Sequence, residues 1–166
     1  MKIYFLLIIS CITINSFSQK TFELLSPDKT ININIATNNK LSYSISIDDK
    51  TIISESPIDM QLINGILLSS NLSIQSTKTK NVHEIIVAQI PVSRKNIPNI
   101  YNELTINFKN NFAVIFRAYN DGVDYRIATS FKDSIIVQNE PSHYIFTNNA
   151  HAYVPIVEKA KDEKVF

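Results

Sequence analysis

Few side chains in this sequence can make or break bonds, and their spacing suits little chemistry. The three histidines, His83, His143 and His151, lie far apart, with no His-x-His or His-Glu-x-x-His spacing to suggest a metal site. Gly65 and Gly122 are the only glycines, so neither a phosphate-cradling loop nor a Gly-x-Ser-x-Gly elbow can be built. Cys11 is the single cysteine and sits in an apolar run near the start. The acids show no local pairing. Asp48-Asp49 falls between two strand-like segments and reads as a turn, and Glu140 precedes Pro141 in a loop. Arg94-Lys95 reads as a solvated loop pair. No catalytic residue and no metal ligand is assigned.

One stretch stands out, Phe116-Arg117-Ala118-Tyr119-Asn120-Asp121-Gly122-Val123-Asp124-Tyr125-Arg126. It reads as strand, tight turn, strand. Asn120, Asp121 and Gly122 are expected to supply the positive φ angles of a hairpin turn or bulge. Arg117 and Arg126 flank the turn, where they can pair with Asp124 or anchor neighbouring loops.

The elements that must position this motif are strands. The 166 residues are 45% hydrophobic, with 28 Ile and no Trp, which excludes a disordered chain and favours β over α structure. The formal charge of +1 gives no electrostatic case for nucleic acid. Residues 30–35 and 41–47 alternate polar and apolar, with Asn38-Asn39 between them, and form a hairpin with one wet face. Asp48-Asp49-Lys50 is the next turn and Thr51–Ser54 a short strand. Pro57 should interrupt it, with a further strand over Ile58–Ile63 and a turn at Asn64-Gly65. Strands are also expected at 72–75, 83–90, 104–108, 112–119, 123–128, 134–138 and 144–147, with a loop over Pro91–Pro98 and a turn at Lys109-Asn110-Asn111. Residues 112–119 are the most apolar and should be central. A dozen short strands without a convincing helix imply an all-β, antiparallel β-sandwich.

The first residues read as an address. Lys2 precedes an apolar run from Ile3 to Ile14, and small residues flank a cut after Ser18. That is a secretory signal, since the run falls short of the ~20 residues needed to span a bilayer. The domains are then 1–18 signal peptide, 19–156 sandwich and 157–166 charged linker, and the protein is secreted or periplasmic. Cleavage removes Lys2 and Cys11, leaving no charge imbalance, disulfide or thiol. The alternative is a lipoprotein cut at Cys11.

The motif at 117–126 resembles the hallmark of the N-terminal β-sandwich domain of glycoside hydrolase family 97. Ser26-Pro27-Asp28 with Ile31-Asn32-Ile33, Leu41-Ser42-Tyr43-Ser44-Ile45, and Ser56-Pro57 with Met60 and Leu62 are similar to its strands, in order. Lys29 departs from the usual glycine, loosening that turn. The resemblance implies a secreted α-glucosidase or α-galactosidase with an N-terminal super-sandwich, a (β/α)8 barrel that carries the catalytic carboxylates, and a C-terminal β domain. It also implies a calcium ion held mainly by glutamates, one lent by the N-terminal domain. That glutamate matches no position here, neither Glu158 nor Glu163.

On this reading the chain is the front part of such an enzyme, not catalytic alone. It acts on an α-linked oligosaccharide through the full enzyme, bracing the barrel and lining the sugar site. The super-sandwich is expected to be incomplete at its C-terminal end, leaving exposed edges that favour association. The alternatives are a stand-alone carbohydrate-binding or adhesive sandwich and an envelope structural protein. Sugar binding needs aromatic platforms, for which Tyr119, Tyr144 and Tyr153, together with Tyr101, are the candidates.

Overall fold

The computed structural model describes residues 20–38, 40–90 and 94–147. Its strands, in chain order, are β1 (Thr21–Leu25), β2 (Ile31–Thr37), β3 (Leu41–Ile47), β4 (Lys50–Ile58) and β5 (Gln61–Leu62), then β6 (Ile74–Val87), β7 (Asn96–Phe108), β8 (Phe112–Ala118), β9 (Val123–Thr129) and β10 (Val137–Asn139). A 3-10 turn spans Leu68–Ser70. Two four-stranded antiparallel sheets, β1-β2-β3-β4 and β6-β7-β8-β9, pack face to face, and β5 pairs with β10 in a small third patch.

The alternation read from the sequence sets the faces. Along β2 the inward Ile31, Ile33 and Ile35 are buried while Asn34 is exposed. Along β8 Phe112, Val114, Phe116 and Ala118 are buried and Ala113, Ile115 and Arg117 point out. The core joins Leu24, Ile33, Ile35, Leu41 and Tyr43 of one sheet to Leu104, Ile106, Phe108, Phe112, Val114 and Phe116 of the other. Burying each such side chain stabilises the fold by about 1.5–3 kcal/mol. The β2–β3 hairpin has the expected register, Ile31 opposite Ile47 and Thr37 opposite Leu41. Asp48 (φ 47°) and Asp49 (φ 61°) form the two-residue turn into β4, closing Ile47 on Lys50. The expected turn before β8 is also present, with Asn111 at φ 65°.

Several expectations are corrected. Pro57 does not interrupt β4, which continues to Ile58 with Pro57 opposite Ser42. β4 lies at the margin of its sheet, where a missing N–H is tolerated. The expected strand over Ile58–Ile63 shrinks to the two residues of β5. The segments expected at 72–75 and 83–90 join through the residues between them into one 14-residue strand, β6, which begins at Ile74 and ends at Val87, short of residues 88–90. Its middle, Ser76–Asn81, is exposed on both faces, so no apolar period marks it. Asn96–Pro98, expected in a loop, begins β7, with Pro98 opposite Ile85. The strand expected at 134–138 appears as β10, shifted to Val137–Asn139.

The segment after β10 runs along the free edge of β4. Ser54 N–H donates to Ile145 O at 2.7 Å, Thr147 N–H donates to Ile52 O at 3.2 Å, and the Ser56 hydroxyl oxygen accepts from Ile145 N–H at 2.9 Å. Two phenols hold this segment from the core side. Tyr43 donates to His143 O at 3.4 Å, and Tyr125 shares a hydrogen bond with Ser142 at 3.0 Å. Burial, with Tyr125 and Tyr144 nearby, pushes the Tyr43 phenol well above its usual range.

Candidate functional site

The motif at 117–126 is the β8–β9 hairpin. Its loop closes with Tyr119 N–H donating to Gly122 O at 2.8 Å. None of Asn120, Asp121 and Gly122 has a positive φ, contrary to expectation. The loop turns with ordinary angles, and Asn120 has a different task. Its Oδ1 accepts a hydrogen bond from Asp28 N–H at 3.1 Å, linking the β8–β9 loop to the β1–β2 loop of the opposite sheet.

That second loop is built from Ser26-Pro27-Asp28-Lys29-Thr30. The Ser26 hydroxyl donates to Asp28 Oδ1 at 2.6 Å, and both the backbone N–H and the hydroxyl of Thr30 donate to the same oxygen. The Ser26 hydroxyl oxygen also accepts from Ile31 N–H at 3.0 Å. Lys29 takes φ 66°, the conformation for which glycine is the least strained residue. The Ser26 hydroxyl bond, followed by the Thr30 N–H, holds the Asp28 carboxyl below its ordinary value of 3.8. Its stabilisation is therefore complete above the ordinary carboxylate range and is lost as pH falls through the lowered value. Asp28→Asn should flatten the acid-side decline of the thermal midpoint between pH 5 and pH 2, relative to the wild type, in a pH series of melts. An unchanged acid slope would show that this carboxylate does not contribute.

Arg117 points outward and pairs with Glu103 of β7, Nε to Oε2 at 2.7 Å, rather than with Asp124 opposite it on β9. The Glu103 bond pushes the guanidinium further above its already high range. The guanidinium carbon lies 4.6 Å from the centre of the Tyr101 ring, and Tyr119 packs on Tyr101 with centroids 5.0 Å apart. Tyr101, a candidate platform, is thus 4% exposed and enclosed by its neighbours on an outer sheet face. Glu103 was not legible as a member of this cluster, because its role depends on β7–β8 register.

The remaining candidates are dispersed. Tyr119 is half-buried on the outer face of the second sheet. Tyr144 is 57% exposed, in the segment beside β4 and close to Tyr43 and Tyr125. Tyr153 lies outside the described residues, as do the cut site after Ser18, Cys11 and the segment 157–166. Asp121 and Arg126 are exposed, with Arg126 opposite Ile115 on the outward face. A surface depression of about 490 Å³ lies between Lys20–Phe22 and Ile74–Thr77, and no candidate tyrosine lines it.

Several carboxylates are engaged in holding structure. Asp59 accepts from Met60 N–H, Ser69 N–H and the Ser69 hydroxyl, Glu55 from the Ser42 hydroxyl, and Glu23 from the Asn32 amide. Among the described residues no three His, Cys, Asp or Glu side chains could hold a metal ion. Nor is any helix among them long and apolar enough to cross a membrane.

The described residues form a two-sheet sandwich whose β1–β2 and β8–β9 loops are linked by the Asp28–Asn120 hydrogen bond. The comparisons agree with that architecture. Residues 24–165 match the family described as Glycosyl-hydrolase 97 N-terminal. The sequence is 38% identical over 162 residues to a retaining alpha-galactosidase of Bacteroides thetaiotaomicron, covering 97% of this chain and 24% of that protein. The chain thus spans about a quarter of the length of that relative. A glycoside hydrolase family 97 enzyme from Pseudoalteromonas sp. strain K8, in complex with acarbose, superposes with a TM-score of 0.68 at 23% identity over 76% of this chain and 20% of the other. A beta-arabinopyranosidase crystal structure gives the same TM-score at 21% identity, over 76% of this chain and 21% of the other. Both structural likenesses concern the fold.

Proposed function

Since this chain belongs to the glycosyl-hydrolase 97 N-terminal family, we propose that it serves as the N-terminal β-sandwich of a secreted glycosidase acting on α-linked sugars. The observation that carries this reading is the match over residues 24–165, joined to the 38% identity with a retaining alpha-galactosidase. The sandwich braces a catalytic domain and lines one wall of its sugar site, while the reacting carboxyls lie on that domain. The geometry supports this division. Hydrolysis of a glycosidic bond needs two carboxyls about 5–9.5 Å apart across the sugar. Asp28, Glu55, Asp59 and Glu103 are instead held in turns, ladders and an ion pair. A lowered carboxyl such as Asp28 is also the reverse of a general acid, which needs its proton near neutral pH. The apolar run before Ser18 supports secretion.

A segment exchange tests the reading. Residues 24–165 of this chain replace the matching segment of the retaining alpha-galactosidase, and turnover of an α-galactoside is measured. The expected result is a folded chimera that keeps turnover within about tenfold of the parent, because a scaffold role tolerates sequence change while misplacement of the sugar wall costs rate steeply. A folded chimera without turnover would count against bracing and lining.

A further inference from the structure

β6 has one long side without a partner strand among the described residues. It pairs with β7 from Ile74 to Val87, but β7 pairs with β8 only from Asn102 onward. Val82–Val87 and Asn96–Tyr101 therefore extend past the sheet as a two-stranded ribbon. Such a ribbon is marginal in water on its own. This one exposes Ile85 (64%) and Val87 (59%) on one face and Ile86 and Ile97 on the other. Edge strands are ordinarily guarded by charge, especially lysine. Lys78 and Lys80 guard the first half of β6, whereas the second half carries only Glu84.

The charges on this edge are complementary to themselves. We propose that a second copy of this chain pairs on β6, antiparallel and centred on Val82, to give a two-fold dimer through the ribbon. In that register Lys80 falls opposite the partner's Glu84, and Glu84 opposite the partner's Lys80. Directly opposed residues share a face, so both ion pairs form on the same side. Thr77, Lys78 and Thr79 fall opposite the partner's Val87, the partner's Ile86 and the partner's Ile85, so the exposed aliphatic residues gain neighbours. Centring the pair on Lys80 or on Glu84 would set like charges directly against each other, at a cost. Beyond Val82 and Tyr101, which pack on the sandwich, the ribbon runs past the last β8 partner, so its outer edge can meet a second copy, and antiparallel self-pairing closes at two copies.

Sedimentation of the purified chain over a concentration series tests this. The wild type should pass from monomer to dimer as concentration rises and stop there. Glu84→Lys and Lys80→Glu should each weaken the dimer by about tenfold or more, because each turns both ion pairs into repulsions. The double charge swap should bring association back close to wild type. All three variants should keep the wild-type circular dichroism spectrum, since the two side chains are exposed. A monomer at every concentration would overturn the proposal. So would growth beyond dimer, or a dimer indifferent to the single charge changes.

Discussion

Phe116→Ala is expected to lower the stability of the sandwich by about 3–5 kcal/mol. Phe116 is fully buried on β8, an internal strand of the second sheet. Its ring centre lies 6.0 Å from that of Tyr43, on the opposite sheet, and 5.8 Å from that of Tyr125, while those two are 5.7 Å apart. The three rings form a triangle across the layers, and its two tyrosines hold the segment at 142–143 through their hydroxyls. Truncation removes the apolar transfer energy of the ring. It also leaves a cavity that sheets packed on both sides cannot close, so the loss falls in the upper range for core residues. Urea unfolding monitored by circular dichroism measures it, as a lower midpoint at unchanged m value. Ile115→Ala, one residue away on the outward face, should cost far less. Equal losses at the two positions would contradict the assignment of faces on β8.

Sheet packing was legible in the sequence where period-two alternation was clean. β2, β3, β8 and β9 fall within a residue or two of the expected positions, and the Asp48-Asp49 and Asn110-Asn111 turns are where Asp and Asn predicted them. Legibility failed where burial did not impose a period. β6 is exposed along most of its length, so Thr and Lys gave no alternation to read. β1 carries only one buried residue, Leu24, in five and was missed altogether. The motif at 117–126 was visible as a hairpin, but its partners were not. Asn120 reaches Asp28 across 92 positions of sequence, and Arg117 reaches Glu103 across a strand register. Such contacts are products of topology, which a single sequence reveals only through resemblance. The resemblance to family 97 carried what periodicity could not, and the family match bears it out.

The second large effect concerns catalysis. Glycosidases accelerate hydrolysis by at least ~10⁶-fold, and that acceleration depends on two carboxyls held across the sugar with a raised-pKa acid among them. Among the described residues Asp28 and Asp59 are committed to turns and Glu103 to an ion pair with Arg117. The full acceleration should therefore be missing from this chain alone. The decisive measurement is the release of nitrophenol from nitrophenyl α-galactoside and α-glucoside by the purified chain, shown to be folded by circular dichroism and supplied with calcium. The predicted result is a rate indistinguishable from the buffer blank. Turnover that scales with the concentration of this chain, and that falls with its folded fraction in Phe116→Ala, would contradict the account and place a catalytic pair within these 166 residues.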